Sequence, residues 1–272
     1  MLAMSTGVNL MARSIRAESR YGRFVKKNKV FVGEVQGTNV EEMKTPTMMD
    51  IIGGRIARSG RSHNLDELKV LAPVDRPSKI ICIGLNYRSH IDEMKWDTPK
   101  KPIIFTKPPS AIVGPRDRIV IPRASNRVDY EGESALIIGR KASHVKEGSG
   151  HIFGYTCFND VTARDLQRVD VDWTRAKGFD TFAPVGPFIS TTCPARLQTR
   201  LNGRVVQDAP LSDRVFDDAA LVEYISSVMT LEPGDIIATG TPSGIGPMRD
   251  GDVVEVELDT VGTLTNQVLK SP

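Results

Sequence analysis

The stretch Asp129-Tyr-Glu-Gly-Glu-Ser-Ala-Leu-Ile-Ile-Gly139 decides the reading of this chain, because two acidic residues run directly into an apolar strand. On a strand, residues i and i+2 face the same way, so Glu131 and Glu133 stand side by side. Two neighbouring carboxylates repel. Either both lie in water on a solvated edge strand, or a cation sits between them, and the local pattern leaves both readings open. Outward from this stretch, Ile80-Ile-Cys-Ile-Gly reads as a buried strand from its continuous apolar run, and Ile103-Ile-Phe-Thr-Lys, Ile119-Val-Ile-Pro and Asp235-Ile-Ile-Ala-Thr-Gly as further strands. Asp252-Val-Val-Glu-Val-Glu-Leu alternates with the period of two of a half-buried strand. Helices are fewer. Ala219 to Met229 has helical periodicity with Asp217 or Asp218 as N-cap, Ser89 to Met94 makes a short helix, and Thr162-Ala-Arg-Asp has capping-box spacing, which starts a helix beside Val161 carrying Arg164 to Gln167. Many strands and few helices give an α+β fold, mostly β.

Upstream, Val30-Phe-Val-Gly-Glu-Val reads as a strand, and Met48-Met-Asp-Ile-Ile as a short strand or a helical turn. Pro73 and Pro77 flank a charged linker, which divides the chain into a small N-terminal domain over 1–75 and a larger domain over 76–272. The whole is 272 residues, long enough to bury about three quarters of its unfolded surface without staples. Thirty-six basic and 33 acidic residues leave a net charge of +3, too small to argue for a nucleic-acid partner. The basic run Arg13, Arg16, Arg20, Arg23, Lys26, Lys27 and Lys29 reads as a solvated segment, and Met1 to Arg13 as a short extension that makes a poor signal peptide. No apolar stretch approaches the roughly twenty residues of a membrane span. Cys82, Cys157 and Cys193 have neither disulfide-framework nor zinc-site spacing, so a reducing, cytoplasmic location is expected, with Cys82 a small buried hydrophobe.

Chemistry-bearing residues recur along the chain. Asp160 follows the apolar stretch Phe153 to Phe158 at a strand end, and reads as a ligand-bearing carboxylate or a plain N-cap. With Glu131 and Glu133 it would make three oxygen donors, a set suited to Mg²⁺, Mn²⁺ or Ca²⁺. His90 and Glu93 are three apart on the short helix, a pair able to activate a water or an exposed pair on a loop. Lys177 lies among small and apolar residues, either snorkelling or held for electrostatic work. Ala238-Thr-Gly-Thr-Pro-Ser-Gly-Ile-Gly lacks the order of a P-loop, but Thr241 and nearby amides could hold a carboxylate.

Six of these motifs, in this order, resemble the fumarylacetoacetate hydrolase superfamily: Asn86-Tyr-Arg-Ser-His-Ile-Asp-Glu-Met, Pro102-Ile-Ile-Phe-Thr-Lys-Pro-Pro-Ser-Ala, Asp129-Tyr-Glu-Gly-Glu, Asn159-Asp-Val-Thr-Ala-Arg-Asp-Leu-Gln, Lys177-Gly-Phe-Asp-Thr-Phe-Ala-Pro-Val-Gly-Pro and Thr239-Gly-Thr-Pro-Ser-Gly-Ile-Gly. They cover about residues 79–268, and the short-chain branch is the nearer one. The resemblance implies a mixed β-roll behind a small N-terminal α/β domain, and a homodimer. It implies metal ligands at Glu131, Glu133 and Asp160, catalytic roles for His90, Glu93 and Lys177, and substrate contacts at Arg164, Gln167 and Thr241. The implied cofactor is Mg²⁺ or Mn²⁺, and the implied substrate a small 2-oxo or 2-enol carboxylic acid. The expected reaction is hydrolysis of a C–C bond of an acylpyruvate through a metal-stabilised enolate. Oxaloacetate decarboxylation, or isomerisation of a hydroxymuconate-type or 2-hydroxyhepta-2,4-diene-1,7-dioate diacid as in aromatic catabolism, is the alternative on the same site. A catalytically silent metal- and ligand-binding homologue is the non-enzyme alternative. Substrate side-chain preference is expected to be set around residues 94–101 and 168–176, where the motifs lapse.

Overall fold

Continuous apolar runs demand burial on both faces, and the chain meets that demand in a large mixed sheet. The computed structural model describes residues 18–271. The N-terminal part supplies β1 (Arg20–Lys26), β2 (Lys29–Gln36), β3 (Asn39–Met43), α1 (Met48–Ile52), β4 (Arg58–Asn64) and β5 (Lys69–Leu71). Then come β6 (Ile80–Gly84), α2 (Arg88–Met94), β7 (Ile103–Lys107), β8 (Ile112–Val113), β9 (Arg118–Ile121), β10 (Val128–Tyr130) and β11 (Gly132–Ile138). β12 (Ile152–Asn159), β13 (Thr162–Ala163), α3 (Arg164–Val169), α4 (Thr174–Lys177), β14 (Ala183–Ser190), β15 (Arg196–Leu201) and β16 (Arg204–Pro210) follow. The fold is completed by α5 (Asp218–Val228), β17 (Ile236–Ala238), β18 (Gly246–Met248), β19 (Val253–Leu258) and β20 (Gly262–Lys270). The class is α+β and mostly β, as the sequence implies. Arg13 and Arg16 of the basic run, and the Met1 to Arg13 extension, lie outside the described residues.

The 12-stranded sheet has the path β4-β3-β2-β1-β14-β12-β11-β17-β6-β7, with β5 on β1 and β8 on β14. Its centre shows why the runs are unbroken. Ile80, Cys82, Ala135, Ile137, Ile236 and Ala238 enter one core, while their neighbours Ile81, Ile83, Leu136, Ile138 and Ile237 enter a second core on the other face. β17 pairs parallel to β6, a geometry that occurs where both faces are covered. α5 supplies the cover over the second core through Leu221, Val222 and Ile225. A five-stranded sheet, β16-β15-β19-β20-β9, and a three-stranded one, β13-β10-β18, complete the body. Among the described N-terminal residues α1 is the single α-helix, so Met48 to Ile52 takes the helical alternative, with a capping box between Thr47 and Asp50. β1 joins β14 edge to edge, so the N-terminal strands continue the main sheet.

One expected feature is corrected. Thr162 does not cap a helix; it lies in β13 opposite Asp129 and gives its hydroxyl proton to the Asp160 carbonyl. The helix begins at Arg164 without a side-chain cap, and Asp165 turns instead to the Ser125 hydroxyl and the Asn126 amide. Sheet pairing, a tertiary effect, outcompetes the local cap. Asp217 does cap α5, accepting from the Ala220 amide at 2.9 Å.

Candidate active site

Antiparallel pairing puts the start of β11 beside the end of β12, with Gly132 opposite Asn159. That register sets Glu131 and Glu133 against Asp160, and the Asn159 side chain fixes the turn by accepting from the Glu131 amide at 3.0 Å. All three carboxylates are buried, and each places an oxygen within 4.8 Å of the others. The solvated-edge reading of Glu131 and Glu133 is thereby excluded.

The triad is wrapped in cations. Lys177 donates to Glu131 at 2.8 Å and also to Asp160. Lys107, fully buried, donates to Asp160 at 2.6 Å and to the Val161 carbonyl at 3.0 Å. Arg164 donates to Asp129 at 2.9 Å and to Glu131. Burial alone would raise the Glu131 carboxyl, but Lys177 and Arg164 outweigh it and hold the group well below the usual carboxylate range. For Lys177, burial disfavours the charged form, but Asp160 and Glu131 outweigh it and the ammonium is held more firmly than in water. Glu133 differs: it accepts from the Gly240 amide at 2.8 Å and from no cationic side chain among the described residues. Burial first, then the charges of Asp160 and Glu131, push its carboxyl well up.

On these observations the residues fit a hard divalent cation. The donors are all oxygen, they converge, and one of them lacks the countercharge that such an ion would bring. The nearest thiol, Cys82, is buried, and burial with the charge of Asp160 pushes its pKa well up, which disfavours the thiolate a soft metal would need.

α2 carries the His–Glu pair over this triad. His90 Nδ1 lies 3.0 Å from a Glu93 oxygen, and the other Glu93 oxygen accepts from the Gly244 amide at 3.0 Å. The ring is thus tethered at Nδ1, leaving Nε2 for exchange of a proton. A cleft of about 570 Å³ brings together His90, Glu93, Lys177, Arg164, Gln167, Thr241, Glu131, Glu133 and Asp160. Three of them are committed elsewhere. Arg164 holds Asp129, Glu131 and the Gln167 carbonyl oxygen, so both Arg164 and Gln167 brace the triad. Thr241 gives its proton to the Gly132 carbonyl and accepts from Gln207, each at 2.8 Å. Trp96 and Trp173 lie in the segments 94–101 and 168–176 expected to set side-chain preference, whereas Lys107 and Asp129 carry no individual role in the sequence reading. A lysine closing an apolar strand ahead of Pro108-Pro109 was the available signal for Lys107.

Residues 79–269 match the family described as "Fumarylacetoacetate (FAA) hydrolase C-terminal", and residues 19–73 match "Rv2993c-like, N-terminal". The chain belongs to the fumarylacetoacetate hydrolase family and is an enzyme of that family. It is 42% identical over 225 residues to the Bacillus subtilis protein named oxaloacetate tautomerase YisK, covering 76% of this chain and 75% of that one. It is 41% identical over 220 residues to human mitochondrial oxaloacetate tautomerase FAHD2A, covering 75% and 70%. A crystal structure of 2-hydroxyhepta-2,4-diene-1,7-dioate isomerase from Mycobacterium marinum superposes with a TM-score of 0.83 at 42% identity, covering 93% of this chain and 99% of that one. No helix among the described residues is long and apolar enough to cross a membrane.

Proposed function

We propose that this enzyme moves a proton within a small 2-oxo acid, interconverting its enol and keto forms. The observation that carries the reading is the tethered His90–Glu93 pair standing over a buried carboxylate triad in one cleft. The names of the tautomerase and isomerase relatives support proton transfer, and oxaloacetate is the first substrate to try. A divalent cation held by Glu131, Glu133 and Asp160 would supply Lewis acidity toward the acid's oxygens. His90, oriented by Glu93, takes the proton of the enol hydroxyl and delivers it to C3 of the substrate, so the imidazole is restored and the sum is an internal shift. The Lys177 ammonium steadies the negative charge that develops on the substrate oxygen. Hydrolysis of an acylpyruvate is the second reading, favoured by the same His90, which could deprotonate water instead. The three free thiols support a reducing, cytoplasmic setting, and family membership supports a homodimer, which sedimentation equilibrium would test.

The test mixes the protein and Mg²⁺ with enol oxaloacetate and with acetylpyruvate. The enol absorbance of oxaloacetate is expected to decay faster than in buffer without release of CO₂. His90→Ala should slow that decay by about 10²–10⁴-fold, the usual weight of general acid–base catalysis. Cleavage of acetylpyruvate with no acceleration of enol decay would make the enzyme a hydrolase.

A further inference from the structure

Resting on the 2-oxo acid reading, we infer that the cleft's far side is an apolar seat for the substrate's side chain. The enzyme then accepts 2-oxo acids whose C3 carries a branched aliphatic or aromatic group. The cleft's volume of about 570 Å³ falls among sites of roughly 300–1,000 Å³ that enclose drug-sized ligands, more room than a four-carbon acid needs. Its polar end is the triad. Its apolar lining includes Leu85, Met94, Trp96, Phe105, Trp173 and Ile245, with Arg127, Asp129 and Arg168 also on the wall. The two ends are continuous: the Lys177 ammonium sits 5.0 Å from the Phe105 ring centre, and Trp173 meets Phe105 edge-on at 5.1 Å. Position 84 is cut to fit this wall, since a Cβ on Gly84 would come within 3.0 Å of the Trp173 indole. Trp96 stands at the rim with 52% of its surface exposed, an apolar group without a cover. Trp96 and Trp173 are the chain's two tryptophans, and both line this one cleft.

The cations of the cleft point the same way. Arg127, Arg164 and Lys177 are each bonded to carboxylates of the protein. Arg168 lines the cleft with no acid partner among the described residues and is exposed. Among the described cleft residues, a substrate tail carrying a second carboxylate would therefore meet Arg168 as the guanidinium without an acid partner, at the water's edge, whereas an apolar tail has these six side chains.

Tryptophan emission reads the seat directly. The full-length protein in Mg²⁺ is titrated with pyruvate, 4-methyl-2-oxopentanoate and oxaloacetate. The expected Kd for 4-methyl-2-oxopentanoate is at least about tenfold below that for pyruvate, because each buried methylene strengthens binding severalfold. Trp96→Ala should shrink that ratio to within about twofold; Trp96 is half exposed, so its loss leaves the fold intact. Gly84→Ala, which displaces Trp173, should shrink it independently. Equal affinities for pyruvate and 4-methyl-2-oxopentanoate would overturn the seat. So would tightest binding of oxaloacetate that Arg168→Gln abolishes, or emission that follows protein concentration rather than ligand. Failure of all three acids to bind in Mg²⁺ would instead bring down the 2-oxo acid reading itself.

Discussion

Glu133 is the carboxylate on which the proposed cation binding would turn. Its neighbours Glu131 and Asp160 have Lys177, Lys107 and Arg164, while Glu133 has an amide. Three acids within 4.8 Å repel one another, so a neutral isostere at 133 relieves the protein when no cation is present. Glu133→Gln is expected to raise the melting temperature in chelator by about 2–4 °C, the shift of roughly 1 kcal/mol in a chain of this size. Millimolar Mg²⁺ is expected to stabilise the parent by mass action, and the variant should lose that gain. Calorimetry with and without Mg²⁺ decides: an undiminished Mg²⁺ shift in the variant removes Glu133 from the ligand set. Glu131 and Glu133 stood out because they run into an apolar strand, but the local pattern left a solvated edge open, and it was the family resemblance that assigned Asp160 with them as a ligand set. Lys107 was not legible, because a lysine ending a strand reads equally well as a snorkelling one, and its contact with Asp160 spans 53 positions of chain. The bracing partners of Arg164 and Thr241 were equally hidden, since spacing does not tell which way a side chain faces in the folded chain.

At the scale of elements, α2 was legible from Ser89 to Met94, but what holds it was not. Its N-cap, Tyr87, makes no side-chain cap bond; Asp213, from a distant segment, accepts from both the amide and the hydroxyl of Ser89. The helix ends on Lys95 in the left-handed region, φ 56° and ψ 42°, which costs a residue with a Cβ about 1–2 kcal/mol. Glycine avoids that strain and gives back part of the gain as chain entropy. Lys95→Gly should therefore raise the unfolding free energy measured in urea by about 0.5–1 kcal/mol, and a fall would refute the strain. In the N-terminal strands, Glu42 on β3 is buried among Arg61, His63 and Lys29. The hydrogen bond from Arg61, against burial and with help from His63 and Lys29, lowers its pKa from 4.5 to about 2. A depressed acid stabilises the fold above its unfolded pKa and loses that contribution as pH falls through its folded one. The stability difference between parent and Glu42→Gln, measured in urea, should be full at pH 6 and shrink between pH 4.5 and 2. A constant difference across that window would show that the ion pairs contribute nothing.

For the whole molecule, the question is whether the strands before Pro73 unfold with the rest. The sequence suggested a divide at the Pro73–Pro77 linker. The hydrogen bonds run across it: Arg20 and Tyr21 of β1 pair with Ser190 and Ile189 of β14. Tyr21, Val32, Met43 and Ile51 share one core with Ile80, Phe158, Val185 and Ile236. A shared core makes unfolding cooperative, because neither side keeps its apolar surface covered without the other. Both tryptophans lie beyond the linker, so their emission follows residues 96 and 173, whereas far-ultraviolet circular dichroism follows every strand. The two signals should melt together. Tyr21→Ala empties a site that is 1% exposed, and should lower the stability read by both signals equally, by about 3–5 kcal/mol, the usual cost of deleting a buried aromatic ring. Tryptophan emission that kept the parent's midpoint while circular dichroism lost an early fraction would show two independently folding units, and would make the β1–β14 seam a docking contact between them.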